Sequence, residues 1–251
     1  MEFNSGPEGG CVLGQGNRTA GVLLGLLLLA VLIAAYSCAS PEKLKKAEAH
    51  YKMGISYLNA DNAQAAFLEF QKSLELNPKD EKVHNAIGVV YLDLKDYEKA
   101  EESFRKAVKI DPEYSEAYNN LCYVYYTVKQ WERAVESCTQ ALVNPLYPTP
   151  WKAYYNLGRS HYRLREYDKA VRAFENAVKR YPDLYPAHYG LALAYNAQGM
   201  YGWAASAMAR AVELDPRFRG NRDKADMEFR MMKAEGEEGK DLRDYIEILN
   251  Y

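Results

Sequence analysis

At 251 residues the chain has room for one or two domains. Lys and Arg total 32 against 34 Asp and Glu, a formal charge of -2, so no basic field points to nucleic acid. The four cysteines, Cys11, Cys38, Cys122 and Cys138, form no CxxC pair and have no histidine at metal-ligand spacing, which argues against a zinc site.

The first forty residues differ from the rest. Residues 20–35 read AGVLLGLLLLAVLIAA without a charge. That run is short of the ~20 apolar residues a spanning helix needs and suits the apolar region of a secretory signal. Ala35-Tyr36-Ser37-Cys38 follows, and small residues before a cysteine there resemble a bacterial lipobox. In such signals the cysteine is lipidated and becomes the first residue of the mature chain. The expected division is a signal peptide over 1–37 and a lipidated linker over 38–46. The alternative is an uncleaved anchor helix with an incidental cysteine.

The remainder repeats. Small residues fall at Gly54, Gly88, Cys122, Gly158 and Ala192, and alanines at Ala66, Ala100, Ala134, Ala170 and Ala204. Phe70, Phe104, Cys138, Phe174 and Met208 follow the same intervals, and Pro78, Pro112, Pro148, Pro182 and Pro216 close the units. The period is 34 residues with one interval of 36, the tetratricopeptide pattern of paired antiparallel helices. The spacing predicts an all-α fold, a right-handed solenoid of five hairpins over 47–80, 81–114, 115–150, 151–184 and 185–218, followed by a capping helix and tail over 219–251. Proline disfavours helix in the residue before it, so Asn77-Pro78, Asp111-Pro112 and Asp215-Pro216 end second helices. The third unit is long because of Asn144-Pro145-Leu146-Tyr147-Pro148-Thr149-Pro150.

In a hairpin turning near position sixteen, position eight faces position twenty-four. Those pairs are small against large in four units, and Cys122 with Cys138 in the third. Two cysteines at facing positions in a chain with an export signal predict a disulfide. The histidines have packing explanations: His50, His84 and His188 share one repeat position, and His161 replaces a repeat tyrosine. No GxSxG, HExxH, P-loop or GxGxxG motif occurs, so neither catalysis nor a cofactor nor a small-molecule substrate is expected.

In this fold, fixed positions of each first helix line an inner groove. Here they include Tyr51, Ile55, Leu58, Val89, Leu92, Asn119, Asn120, Tyr123, Tyr126, Tyr155, Asn156, Tyr162 and Tyr189, a mix of aromatics and amides suited to protein recognition. The lysine and asparagine clamp of relatives that bind acidic chaperone tails is absent, with Tyr51 and Ile55 in its place. Together with the lipobox-like segment and the repeats, Ala141 to Gly158, ALVNPLYPTPWKAYYNLG, resembles the pilotins, lipoproteins of type IV pilus biogenesis. The resemblance implies a lipid-anchored protein on the periplasmic face of the outer membrane, whose partner is the pilus secretin subunit. The alternative is a general periplasmic adaptor lipoprotein for peptidoglycan enzymes or outer-membrane protein assembly.

Overall fold

The structure, a computed structural model, describes residues 40–251. The apolar run, the proposed signal peptide and Cys38 lie outside the described residues. Within them the chain forms five helical hairpins: α1 Pro41–Asn59 with α2 Ala63–Leu76, α3 Glu81–Asp93 with α4 Tyr97–Ile110, α5 Ser115–Thr127 with α6 Trp131–Ala141, α7 Pro150–Arg163 with α8 Tyr167–Arg180, and α9 Tyr185–Ala197 with α10 Tyr201–Leu214. Two further helices follow, α11 Arg222–Met231 and α12 Gly236–Ile248.

The expected linker over 38–46 is helical from Pro41 onward. Ser40 supplies the reason: its hydroxyl accepts the Lys43 amide at 3.3 Å, and Pro41 occupies the first turn, where its missing N–H is no loss. Four other helices begin in the same local way. Asn62, Asp80, Asp96 and Asn221 cap the helices that follow them through their side chains. Each hairpin turns through one left-handed residue, at φ 55° to 61° for Asp61, Lys95, Lys129 and Arg165 and 74° for Gly199. Only the fifth hairpin uses the residue type that adopts this conformation without steric cost.

Packing explains the repeat signature. The five repeat alanines, Ala66, Ala100, Ala134, Ala170 and Ala204, are fully buried, so the paired helices approach closely there. A Cβ added to Gly54 would stand 2.4 Å from the Phe70 ring; the small residue is the seat of the large one opposite. Phe174 fills two such seats, because a Cβ on Gly158 would lie 2.7 Å from its ring and one on Gly190 2.4 Å. Its ring therefore joins the fourth hairpin to the fifth. In the third hairpin Cys122 and Cys138 form a disulfide, with Cα atoms 5.2 Å apart.

First helices of successive hairpins touch one another, whereas within the five hairpins the second helices meet only first helices. The result is two layers, with α1, α3, α5, α7 and α9 on the inside. The core is uneven along the stack. One cluster runs continuously from Tyr162 through Phe174, Leu191 and Met208 to Phe229 and Leu249. The N-terminal half is held by smaller clusters, one around Phe70, Val83 and Val90 and another around Phe104, Val124 and the disulfide.

The histidines serve this framework. His84 and His188 each bond the carbonyl of the proline preceding their own helix, Pro78 at 3.1 Å and Pro182 at 2.8 Å. His50 Nδ1 meets Glu69 at 2.7 Å. His161 is buried beside Glu166 at 2.6 Å; burial pushes its pKa down against the pull of that carboxylate.

Candidate protein-binding groove

The inner layer presents the groove. At its N-terminal end Tyr51, Ile55 and Leu58 on α1 and Val89 and Leu92 on α3 are half-buried. They form an apolar strip that continues to Tyr123 and Tyr126 on α5. Tyr123 is 40% exposed, the most open of the groove tyrosines. The Tyr51 ring rests 6.0 Å from Phe70, so the strip is backed by the core and its side chains are already ordered.

The asparagines form the floor. Asn120 donates its amide to Asn85 at 2.9 Å, and Asn156 donates to Asn119 at 3.1 Å. Asn85, Asn119 and Asn156 are buried, and these bonds tie successive first helices together. Their first role is thus architectural, holding the pitch of the groove. Asn120 remains half-buried.

The C-terminal half of the groove is different, because α12 lies in it. Helix α12 packs on α9 and reaches α10 and α11. Tyr245 enters between Tyr189 at 5.3 Å and Phe229 at 5.4 Å, ring centre to ring centre. Asp241 accepts two hydrogen bonds from the Arg163 guanidinium, at 3.0 and 2.5 Å, the bidentate geometry that makes such pairs strong. At the far end the Tyr251 hydroxyl donates to Asn196 at 2.7 Å. Tyr162 and Tyr189 are therefore buried, 8% and 7% exposed, and Tyr155 borders the docked tail. The amphipathic spacing of Leu242, Tyr245, Ile246 and Leu249 shows that this segment is helical, but nothing in it states which surface it covers.

Where the two halves meet, a cleft of about 400 Å³ separates Tyr123, Tyr126 and Arg159 from residues 235–238 of the tail. Arg159 stacks over the Tyr126 ring at 3.8 Å, and Arg163 Nε donates to the Tyr126 hydroxyl at 3.3 Å. Burial raises the pKa of Tyr155 against the opposing Arg159 charge. Burial, then Asp80 and Glu116, raises that of Tyr51. Both phenols stay neutral at physiological pH. Among the described residues no group of His, Cys, Asp and Glu could hold a metal ion, and no helix is long and apolar enough to cross a membrane.

Models of the tetratricopeptide repeat match residues 47–80, 81–114 and 155–217. The stretch between the last two holds the disulfide hairpin and its insertion. No curated protein sequence matches the chain. Among solved structures, PilF of Pseudomonas aeruginosa superimposes with a TM-score of 0.68 at 21% identity, over 83% of this chain and 90% of PilF. PilW, described as a widely conserved type IV pilus biogenesis factor, gives 0.66 at 21% identity, over 81% and 90%. YrrB, a repeat protein with an unusual peptide-binding site, gives 0.56 at 18% identity, over 76% and 94%. With the repeat models, the hairpin geometry and the two-layer stack in agreement, the chain belongs to the tetratricopeptide-repeat superfamily.

Proposed function

We propose that this protein is a membrane-held adaptor that binds the secretin subunit of a type IV pilus and promotes its assembly, with the open groove of the first three hairpins as the binding site. The observation that carries the reading is the strip Tyr51, Ile55, Leu58, Val89, Leu92, Tyr123 and Tyr126: apolar, seated on the core, and left uncovered by the tail. Likeness of fold to PilW supports the choice of partner class. Tyr155, Tyr162 and Tyr189 are left out of the binding surface, because α12 occupies their half.

Apolar anchors in such a groove commonly cost ~2 kcal/mol or more each when truncated. The Leu58→Asp/Leu92→Asp double variant should therefore abolish secretin multimers in cells while the purified protein keeps its helical circular dichroism. Both side chains are only half-buried, which is why the fold survives. Normal multimers in that variant would reject the groove as the site.

The anchor is the second part of the proposal. Lipidation of Cys38 follows from its place after the apolar run, and each buried lipid methylene contributes ~0.8 kcal/mol, so two chains hold a protein stably to a bilayer. Mass spectrometry of the mature N-terminus is expected to show a diacylated Cys38 as the first residue. An unmodified Cys38 excludes this anchor.

A further inference from the structure

The insertion between the third and fourth hairpins has one part that folding explains and another that it does not. Tyr147 turns inward, 6% exposed, and packs with Ala141 and Ala153. Leu146 beside it turns outward and is 86% exposed, and Val143 is 69% exposed. The tip is fixed in that attitude: Asn144 accepts the Leu146 amide at 2.9 Å and donates to the Glu113 carbonyl at 3.4 Å. Single exposed apolar residues are ordinary on any protein; the location of these gives them significance.

Every hairpin begins and ends on the same edge of the stack. The loops joining successive hairpins therefore share that edge with the start of α1. The edge also carries Trp151 stacked on Tyr181 at 5.0 Å, with Lys152 beside the Trp151 ring. Upstream of α1 the apolar run ends at Ala35, five residues before Ser40, and Cys38 stands two before it. An extended link spans at most ~3.6 Å per residue, so either anchor holds α1 within about 18 Å of its membrane attachment, and a lipid on Cys38 within about 7 Å. The opposite edge also exposes aromatics, Tyr201 at 55% and Trp203 at 64%, but it lies a helix length, ~20 Å, farther away.

We propose that the edge formed by the start of α1 and the loops between hairpins rests on a lipid surface, with Leu146 and Val143 inserted at the interface and the Trp151–Tyr181 stack beside them. The proposal rests on the membrane-held reading above. Charge does not drive the contact, since Lys152 and Arg180 are accompanied by Glu113 and Asp183 along this edge. Apolar insertion does, helped by aromatic and basic side chains of the kind that populate membrane interfaces. Tethering makes shallow insertion sufficient, because it turns a weak bimolecular partition into an intramolecular one. The fixed loop then sets how the groove is oriented above the bilayer.

The test uses the full chain in vesicles of phosphatidylethanolamine and phosphatidylglycerol that contain brominated phosphatidylcholine, a quencher of tryptophan fluorescence. One variant carries Leu146→Trp with Trp131, Trp151 and Trp203 changed to Phe; the comparator keeps only Trp203. Leu146 is so exposed that its replacement leaves the fold intact, and a third chain keeping only Trp151 reads the same edge without any new residue there. The emission of L146W should be roughly halved by the brominated lipid, with Trp151 affected in the same sense and Trp203 almost untouched. Quenching of L146W no stronger than that of Trp203 overturns the proposal. In that case a blue shift of the L146W emission on adding secretin subunits would reassign the loop to a protein contact. A chain that fails to float with the vesicles overturns the membrane-held reading and this proposal together, whereas a chain that floats with L146W unquenched overturns this proposal alone.

Discussion

Replacing Phe174 with alanine is expected to cost about 3–5 kcal/mol, the range for removing a buried aromatic ring, and to split the unfolding transition. The ring is 1% exposed and packs against both Gly158 and Gly190. Its loss opens a void inside the fourth hairpin and, at the same time, loosens the interface with the fifth. Folding stabilities of ordinary domains are only ~5–15 kcal/mol, so the effect is large. In a linear stack, where each unit touches only its neighbours, a weakened interface also breaks cooperativity. Denaturant unfolding followed by circular dichroism should show a lower midpoint and a broadened or two-step curve. Leu94→Ala, at a 57% exposed position, should shift the midpoint hardly at all. A Phe174→Ala chain unfolding like the wild type would contradict the packing described here.

Loss of the Cys122–Cys138 bond is the second large effect. The cysteines are 16 residues apart, and closing a loop of that size in the unfolded chain corresponds to ~3 kcal/mol in the chain-entropy model. The Cys122→Ala/Cys138→Ala variant should lose about that much, and reductant should destabilise the wild type while leaving the variant unchanged. Cys122→Gly/Cys138→Phe makes a sharper comparison. It rebuilds the glycine and phenylalanine pairing of the first, second and fourth hairpins, so it should recover part of the loss without a covalent bond. Equal stability of oxidised and reduced wild type would show that the bond constrains nothing.

The hairpins were legible because their determinants are local and repeated. One small residue facing one large one, an alanine at the helix contact and a proline after the second helix are properties of a single unit, so four copies of the first and five of the others reinforce one reading. The inner position of Tyr51, Ile55 and Leu58 follows from the same period. The covering of Tyr162 and Tyr189 does not. It depends on Asp241 meeting Arg163 across 78 residues of chain and on Tyr245 finding Tyr189, contacts made once and encoded in no period. Gly190 was hidden for a related reason: it seats a side chain of the preceding unit, so it has no counterpart inside its own hairpin. The first turns of α1 precede the first repeat and so carry none of its period, although Ser40-Pro41 is a recognisable helix start.

The uneven core gives the solenoid the mechanics of a beam clamped at one end. From Tyr162 to Leu249 the last hairpins and the tail share one continuous cluster, braced across the groove by α12. The first three hairpins have smaller clusters and no such brace. Bending compliance is therefore concentrated where Leu58, Leu92 and Tyr123 line the open groove, and low-stability regions of this kind are the ones that deform on binding. The curvature of this half would adjust to a segment bound there while the braced half keeps its shape. Gripping a segment would stiffen the compliant half in turn, extending the rigid part of the beam toward α1.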